Sequence, residues 1–334
     1  MPEPSDFLQE TACYYFPQIA DETGQCVDLP PGLCDWIFTA TWDVPQVRDV
    51  IAAYRDVLDI DLVRPSGLHS RSNDSVPKQV VRVGLDVILA HFLEKIAGEA
   101  VGCLSFSAGG AQAAYIFADI VSTRDYLRSA VSLESENRRI LAESGIKFGL
   151  SEMLVTGPTA EPAEKFLPDI IETLQLGDRV FLKDRHGANG CLIAGCSRSV
   201  ERVRAELTTM KSVRMTILNR VTTPQQAHFP LYSRTVLSRM LQDVAFRPPR
   251  FAIVDTTGGI VETGSDDFPA LRRIYEDSII GWAASGTAMN QSDKYAKRLM
   301  VVSTRFGAGV LDRAGAFRDV AFPEDIAMPL AVLV

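Results

Sequence analysis

The sequence predicts a mixed α/β fold, with a mostly parallel sheet flanked by helices and interrupted by an inserted βαββαβ unit. Three observations carry this. Short apolar runs alternate with stretches of helical periodicity on both sides of the middle section. Between roughly residues 148 and 220 the order is strand, helix, strand, strand, helix, strand, the split ferredoxin-like arrangement. At Ala100–Phe117 an apolar run reaches Ser107, small residues follow at Ala108, Gly109 and Gly110, and helix-compatible sequence begins. That is how a nucleophile elbow is written, because its crowded turn needs small neighbours.

The elements follow in order. Cys13–Phe16 reads as a strand, and the polar sequence around Pro30-Pro31 as irregular. Val47, Val50, Ile51 and Tyr54 recur at helical spacing and predict a helix over Val44–Leu58. Pro65 to Pro77 is a turn-rich loop, and Val80, Val83, Leu85, Ile88 and Phe92 give a broad apolar face to a helix over Gln79–Ile96. After the elbow, Thr123–Ala142 is helical. The inserted unit comprises a strand at Met153–Thr156, a helix at Glu161–Leu174, strands at Arg179–Lys183 and Cys191–Ala194, a helix at Ser199–Met210 and a strand at Val213–Asn219. The chain then returns through a strand at Phe251–Val254, a helix at Phe268–Ala284, a strand at Leu299–Ser303 and the loop Phe306–Gly309. The expected division is a large domain of 1–147 and 221–334 around a small domain of 148–220.

At 334 residues, with 46% hydrophobic and 23% charged residues, the chain has the composition of a globular protein with a sizeable core. Its net charge of −8 argues against a general nucleic-acid binder. The absence of a long apolar run argues against a membrane partner, and the N-terminus lacks a signal-peptide pattern, so a cytoplasmic location is expected. The cysteines at 13, 26, 34, 103, 191 and 196 show no metal-binding spacing, so reduced thiols and no metal site are expected.

A serine nucleophile needs a base, and four histidines are available. His69 lies in a polar loop, His91 on an apolar helix face, and His186 in the hairpin of the small unit. His228 stands just after the chain re-enters the large domain, followed by Pro230 and a helix, a position suited to a cleft.

Together these motifs resemble the malonyl-CoA:acyl carrier protein transacylases and the acyltransferase domains of polyketide synthases. The resemblance spans nearly the whole chain. It rests on Tyr14-Tyr-Phe-Pro-Gln18, the elbow Ser107-Ala-Gly109, His186-Gly-Ala-Asn-Gly-Cys-Leu-Ile-Ala-Gly195, Ala227-His-Phe-Pro-Leu231, Ala245-Phe-Arg-Pro-Pro-Arg-Phe251 and Phe306-Gly-Ala-Gly-Val-Leu311, in that order. It implies an α/β-hydrolase-like large domain carrying an inserted ferredoxin-like small domain. It also implies a Ser107–His228 dyad, with the backbone N–H groups of Gln18 and Ala108 as oxyanion donors. Phe106, Gly109, Ser132, Ala227, His186 and Asn189 would line the substrate pocket.

Several departures from the family pattern bear on the substrate. Ser105 stands where the elbow usually has glycine, Phe106 where it has histidine, and Gly110 where it has glutamate. The arginine that pairs with a malonyl carboxylate has Ser132 as its counterpart, with Arg128 and Arg139 about one and two turns away on the same helix. Without a forked cation, burying a carboxylate is costly. Ala227 replaces a residue that is often Phe in malonyl-selective members, which opens room beside the nucleophile.

The resemblance therefore implies transfer of an uncharged, bulky acyl group between thioester carriers in polyketide or related biosynthesis. The phosphopantetheine arm of an acyl carrier protein, or CoA, would be substrate, with no bound cofactor. An editing thioesterase of the same fold, a malonyl transferase and a non-catalytic carrier-docking protein are the alternatives. Acidic carrier proteins would dock on basic side chains, for which Arg202, Arg204, Lys211 and Arg214 on the small domain and Lys294, Lys297 and Arg298 near the C-terminus are candidates.

Overall fold

The computed structural model describes residues 11–16, 31–63, 78–105, 107–143, 149–158, 161–186, 189–218, 234–254, 259–280, 298–302 and 319–321. Two sheets organise them. The first is built from β1 (Ala12–Phe16), β2 (Ala100–Ser105), β7 (Ala252–Val254), β8 (Ile260–Val261), β9 (Arg298–Val301) and β10 (Asp319–Ala321). Its order is β10-β9-β1-β2-β7-β8, parallel throughout except for the β7–β8 pair. Such a sheet is buried on both faces, and the strands accordingly read as apolar runs rather than as alternating ones.

Helices α1 (Pro31–Thr41), α2 (Pro45–Leu58) and α3 (Lys78–Ala97) connect β1 to β2. Helices α4 (Ser107–Phe117), α5 (Thr123–Glu143) and α8 (Arg234–Met240) lie between β2 and β7 in the chain, and α9 (Phe268–Ile280) precedes β9. α2 starts with Pro45 in its first turn and ends where Asp59 takes a left-handed φ of 55°, the N-terminal proline and αL stop of a regular helix. Their core joins Tyr14, Phe16, Val83, Leu89, Phe92, Tyr115, Phe117 and Leu127.

The second sheet lies within residues 150–218. Its strands are β3 (Leu150–Thr156), β4 (Val180–His186), β5 (Gly190–Cys196) and β6 (Arg214–Leu218), with helices α6 (Ala163–Thr173) and α7 (Ser197–Leu207) between them in the chain. The order β4-β5-β3-β6 is antiparallel throughout, the ferredoxin-like arrangement that the βαββαβ order predicts. Met153, Val155, Ile193, Leu167, Val200 and Val203 form a separate core under the two helices.

The elements depart from the sequence reading in specific places. Pro31–Thr41 is helical rather than irregular. The hairpin strands run longer than predicted, to His186 and from Gly190, with an irregularity between Leu182 and Asp184. The short strands β8 and β10 were not anticipated. The loops predicted at 65–77 and 306–309 lie outside the described residues.

Candidate functional site

β1 and β2 end side by side, Phe16 in register with Ser105. Beyond Ser105 the chain turns, and α4 begins at Ser107. The first turn of α4 lies directly on the end of β1. A Cβ on Gly110 would lie 3.2 Å from the Phe16 carbonyl carbon and closer still to its oxygen, within a separation real Cβ atoms essentially never show. Glycine therefore lets the helix start press against the strand end. Ser107 and Gln18 then each follow a paired strand terminus by two residues. The first N–H groups of a helix have no acceptor within it, and the positive end of the α4 dipole lies at that place.

The far end of α4 is fixed as firmly. Arg250 donates from Nε to the Phe117 carbonyl (3.2 Å) and from its two terminal nitrogens to the Glu94 carboxylate (2.9 and 2.8 Å). Its guanidinium stacks over the Phe117 and Phe251 rings, and a cation there complements the helix C-terminus. Burial opposes ionisation of Glu94, but hydrogen bonds from His91 and Arg250 prevail and hold its carboxyl below the ordinary value. His91 is buried edge-on to Phe117, and burial lowers its pKa against the pull of Glu94. It belongs to this structural node, as its apolar helix face suggested.

Of the predicted site residues, Ser107 and Ala108 occupy the first two positions of α4, and Gly109 is buried in the same turn. Gln18, Phe106, Ala227, His228, Lys294 and Lys297 lie outside the described residues. His186 ends β4 in register with Gly190. The carbonyl of Asn189 accepts hydrogen bonds from the N–H groups of Gly157 and Ala163, tying the β4–β5 turn to the start of α6. Arg202, Arg204, Lys211 and Arg214 are exposed; Arg202 donates to the Leu174 carbonyl and Arg204 pairs with Glu201. Arg298 opens β9.

Ser132 sits on the exposed face of α5, whereas the next residue, Leu133, is buried, as are Asn137 and Ile140 farther along. Arg128 and Arg139 are exposed as well, and Arg139 is held between Glu136 (2.5 Å) and Glu143 (2.5 Å). The described length of α5 thus turns no arginine toward the core.

The residues that sequence reasoning undervalued are Gly110, noted there as a small residue of the elbow and a departure from the family pattern, and Ser105, noted only as a departure. Their signal was positional: each lies within three residues of Ser107. On the small sheet, Glu152 is fully buried and paired with Lys183 (2.5 Å). Strand alternation puts Glu152 on the opposite side from Met153 and Val155. A groove of about 670 Å³ beside α6 and β4, lined by Ile171, Val180, Phe181 and Leu182 among others, contains none of the predicted site residues. Among the described residues no cluster of His, Cys, Asp or Glu could hold a metal ion, and no helix is long and apolar enough to cross a membrane. Cys13, Cys103, Cys191 and Cys196 are buried.

No protein-family model matches the sequence, and no curated protein matches it in sequence. Solved structures do match in fold. A malonyl transacylase in complex with its type II polyketide synthase acyl carrier protein aligns with a TM-score of 0.69 at 16% identity, over 97% of this chain and 99% of that one. The malonyl-CoA:acyl carrier protein transacylase of Coxiella burnetii aligns at 0.69 and 14% identity, over 96% of both chains. The acyltransferase domain from module 8 of the salinomycin polyketide synthase aligns at 0.63 and 18% identity, over 98% of this chain and 75% of that one. The chain has the fold of these acyltransferases, an α/β-hydrolase-like large domain with a ferredoxin-like small domain.

Proposed function

We propose that the chain is a serine-dependent acyltransferase that moves an uncharged, bulky acyl group between thioester carriers, at least one of them an acyl carrier protein. The observation that supports it most is the junction of β1, β2 and α4. Ser107 opens a helix at the C-terminal ends of two adjacent parallel strands, the place where α/β sheets bind ligands. The domain division at about 148 and 220 belongs to the same reading, with the acyl group held between the two parts.

In the first half-reaction Ser107 Oγ attacks the thioester carbonyl while His228 takes its proton. The tetrahedral oxyanion is held by the N–H groups of Ala108 and Gln18, each contributing a few kcal/mol to lowering the barrier. Collapse breaks the C–S bond, and the leaving thiol takes the proton back from His228. The ester on Ser107 is then attacked by the thiol of the acceptor carrier, with His228 now deprotonating that thiol and returning the proton to Ser107. Phe106, Gly109, Ser132, Ala227, His186 and Asn189 are proposed around the acyl group. An uncharged serine at 132, with Arg139 held between Glu136 and Glu143, is the basis for a neutral acyl group. Arg202, Arg204, Lys211, Arg214, Lys297 and Arg298 are the proposed contacts to the acidic carrier.

Transfer from acyl-loaded to unloaded carrier protein tests this reading. Ser107→Ala is expected to abolish transfer, and His228→Ala to slow it by a factor of about 10²–10⁴. Retention of transfer in Ser107→Ala would refute it.

A further inference from the structure

Ser105 is buried to 1% and its Oγ has no hydrogen-bond partner among the described residues. Buried hydroxyls are rarely left so, because the unpaired group forfeits its interaction with water without replacement. Its location is well defined. Ser105 ends β2 in register with Phe16, whose carbonyl is also the neighbour of Gly110. Two residues earlier, the Cys103 thiol lies 3.9 Å from the Ala114 carbonyl, so this face of β2 points at α4. Moving two residues up the strand, about 6.6 Å, corresponds to about four residues back along the helix. That puts Ser105 against the first turn of α4, near Gly109 and Gly110.

The first N–H groups of a helix have no acceptor within it. The residue preceding α4 is Phe106, whose side chain offers no oxygen. Ser105 therefore offers a side-chain oxygen next to the elbow that can serve the turn, yet among the described residues it has no partner. Resting on the function proposed above, we propose that Ser105 is a positioning residue whose hydroxyl takes up its hydrogen bond only in the reacting state, accepting from the Gly109 N–H as the Ser107 Oγ attacks the thioester carbonyl. The bond then holds the peptide next to the Ala108 N–H, the proposed oxyanion donor, against the developing charge. A hydroxyl unpaired at rest is a stability cost of a kind kept where function uses it.

The test is single-turnover acylation of the full chain, Ser105→Ala and Ser105→Gly by neutral acyl-carrier donors, read by intact mass over a range of donor concentrations, alongside thermal unfolding of each. The account expects acylation at saturating donor to fall about five- to tenfold in both variants, the worth of one hydrogen bond. The donor concentration giving half-maximal rate should be unchanged, and Ser105→Ala should melt no lower than the parent. An unchanged acylation rate, or a rate loss matched by a lowered melting temperature in Ser105→Ala, would overturn the proposal. If the parent forms no adduct on Ser107, it is the acyltransferase reading that fails, and the Ser105 proposal falls with it.

Discussion

Gly110→Ala is the substitution on which the geometry of the elbow can be tested most sharply. In an ordinary helix the change favours folding by about 0.5–1 kcal/mol, because alanine loses less backbone entropy than glycine. Here the added methyl would lie 3.2 Å from the carbonyl carbon of Phe16 and closer to its oxygen. Both partners are main chain, one in a strand paired on both sides and the other in the first turn of a helix. Neither can yield by a rotamer change. The helix start and the strand end must separate by roughly 0.5–1 Å, and overpacking of this kind costs about 1–3 kcal/mol. The separation falls between Ser107 and the segment leading to Gln18, where a shift of 1 Å is worth about 10² in rate. We expect Gly110→Ala to be less stable by about 1–2 kcal/mol in denaturant unfolding. Its acylation should be slower by one to two orders of magnitude, as measured by single-turnover mass spectrometry. Gly177→Ala is the control, since nothing lies within 4 Å of a Cβ there; it should change stability by less than about 0.5 kcal/mol. A Gly110→Ala protein as stable as the parent and acylated at the parental rate would refute the reasoning.

Two further predictions concern the core. Asn137 is buried with Oδ1 unpartnered among the described residues, between Leu133 and Ile140 on the inward face of α5. Asn137→Leu should be neutral or more stable by about 1 kcal/mol in denaturant unfolding, and a loss of more than that would mean the amide has a partner in the folded protein. Burial pushes the Asp86 carboxyl up to about 6 against the opposing pull of Arg82, which is 2.8 Å away. The folded state therefore holds this proton more tightly than the unfolded chain does. Its contribution to stability is present below the ordinary carboxylate pKa and lost as pH rises through about 6. Asp86→Asn should flatten the stability profile across that window, and an unchanged slope would contradict the assignment.

The parts legible in the sequence were those in which local chemistry and tertiary role agree. The elbow could be read because an apolar run, a serine and three small residues each demand the same turn, and the βαββαβ unit because its periodicities switch cleanly. α1 was hidden by Pro30-Pro31, which signals a turn but equally opens a helix, since Pro31 occupies the first helical position where no N–H bond is lost. β4 was read short because Lys183-Asp184-Arg185-His186 is polar, and the irregularity between Leu182 and Asp184 breaks its alternation. β8 and β10, of two and three residues, are too short to show a period. The missing hydrogen bond of Ser105 is a tertiary fact with no trace in composition.

The measurement that bears most directly on the whole account is intact-mass and peptide mapping after incubation with neutral and carboxylated acyl carrier proteins and CoA esters. The account predicts a stoichiometric adduct on Ser107 from neutral acyl donors, discharged when an unloaded carrier is added, and none from malonyl donors. A malonyl adduct on Ser107 would contradict the reading of α5 as lacking an inward cation, and an adduct on another residue, or none with any donor, would contradict the acyltransferase itself.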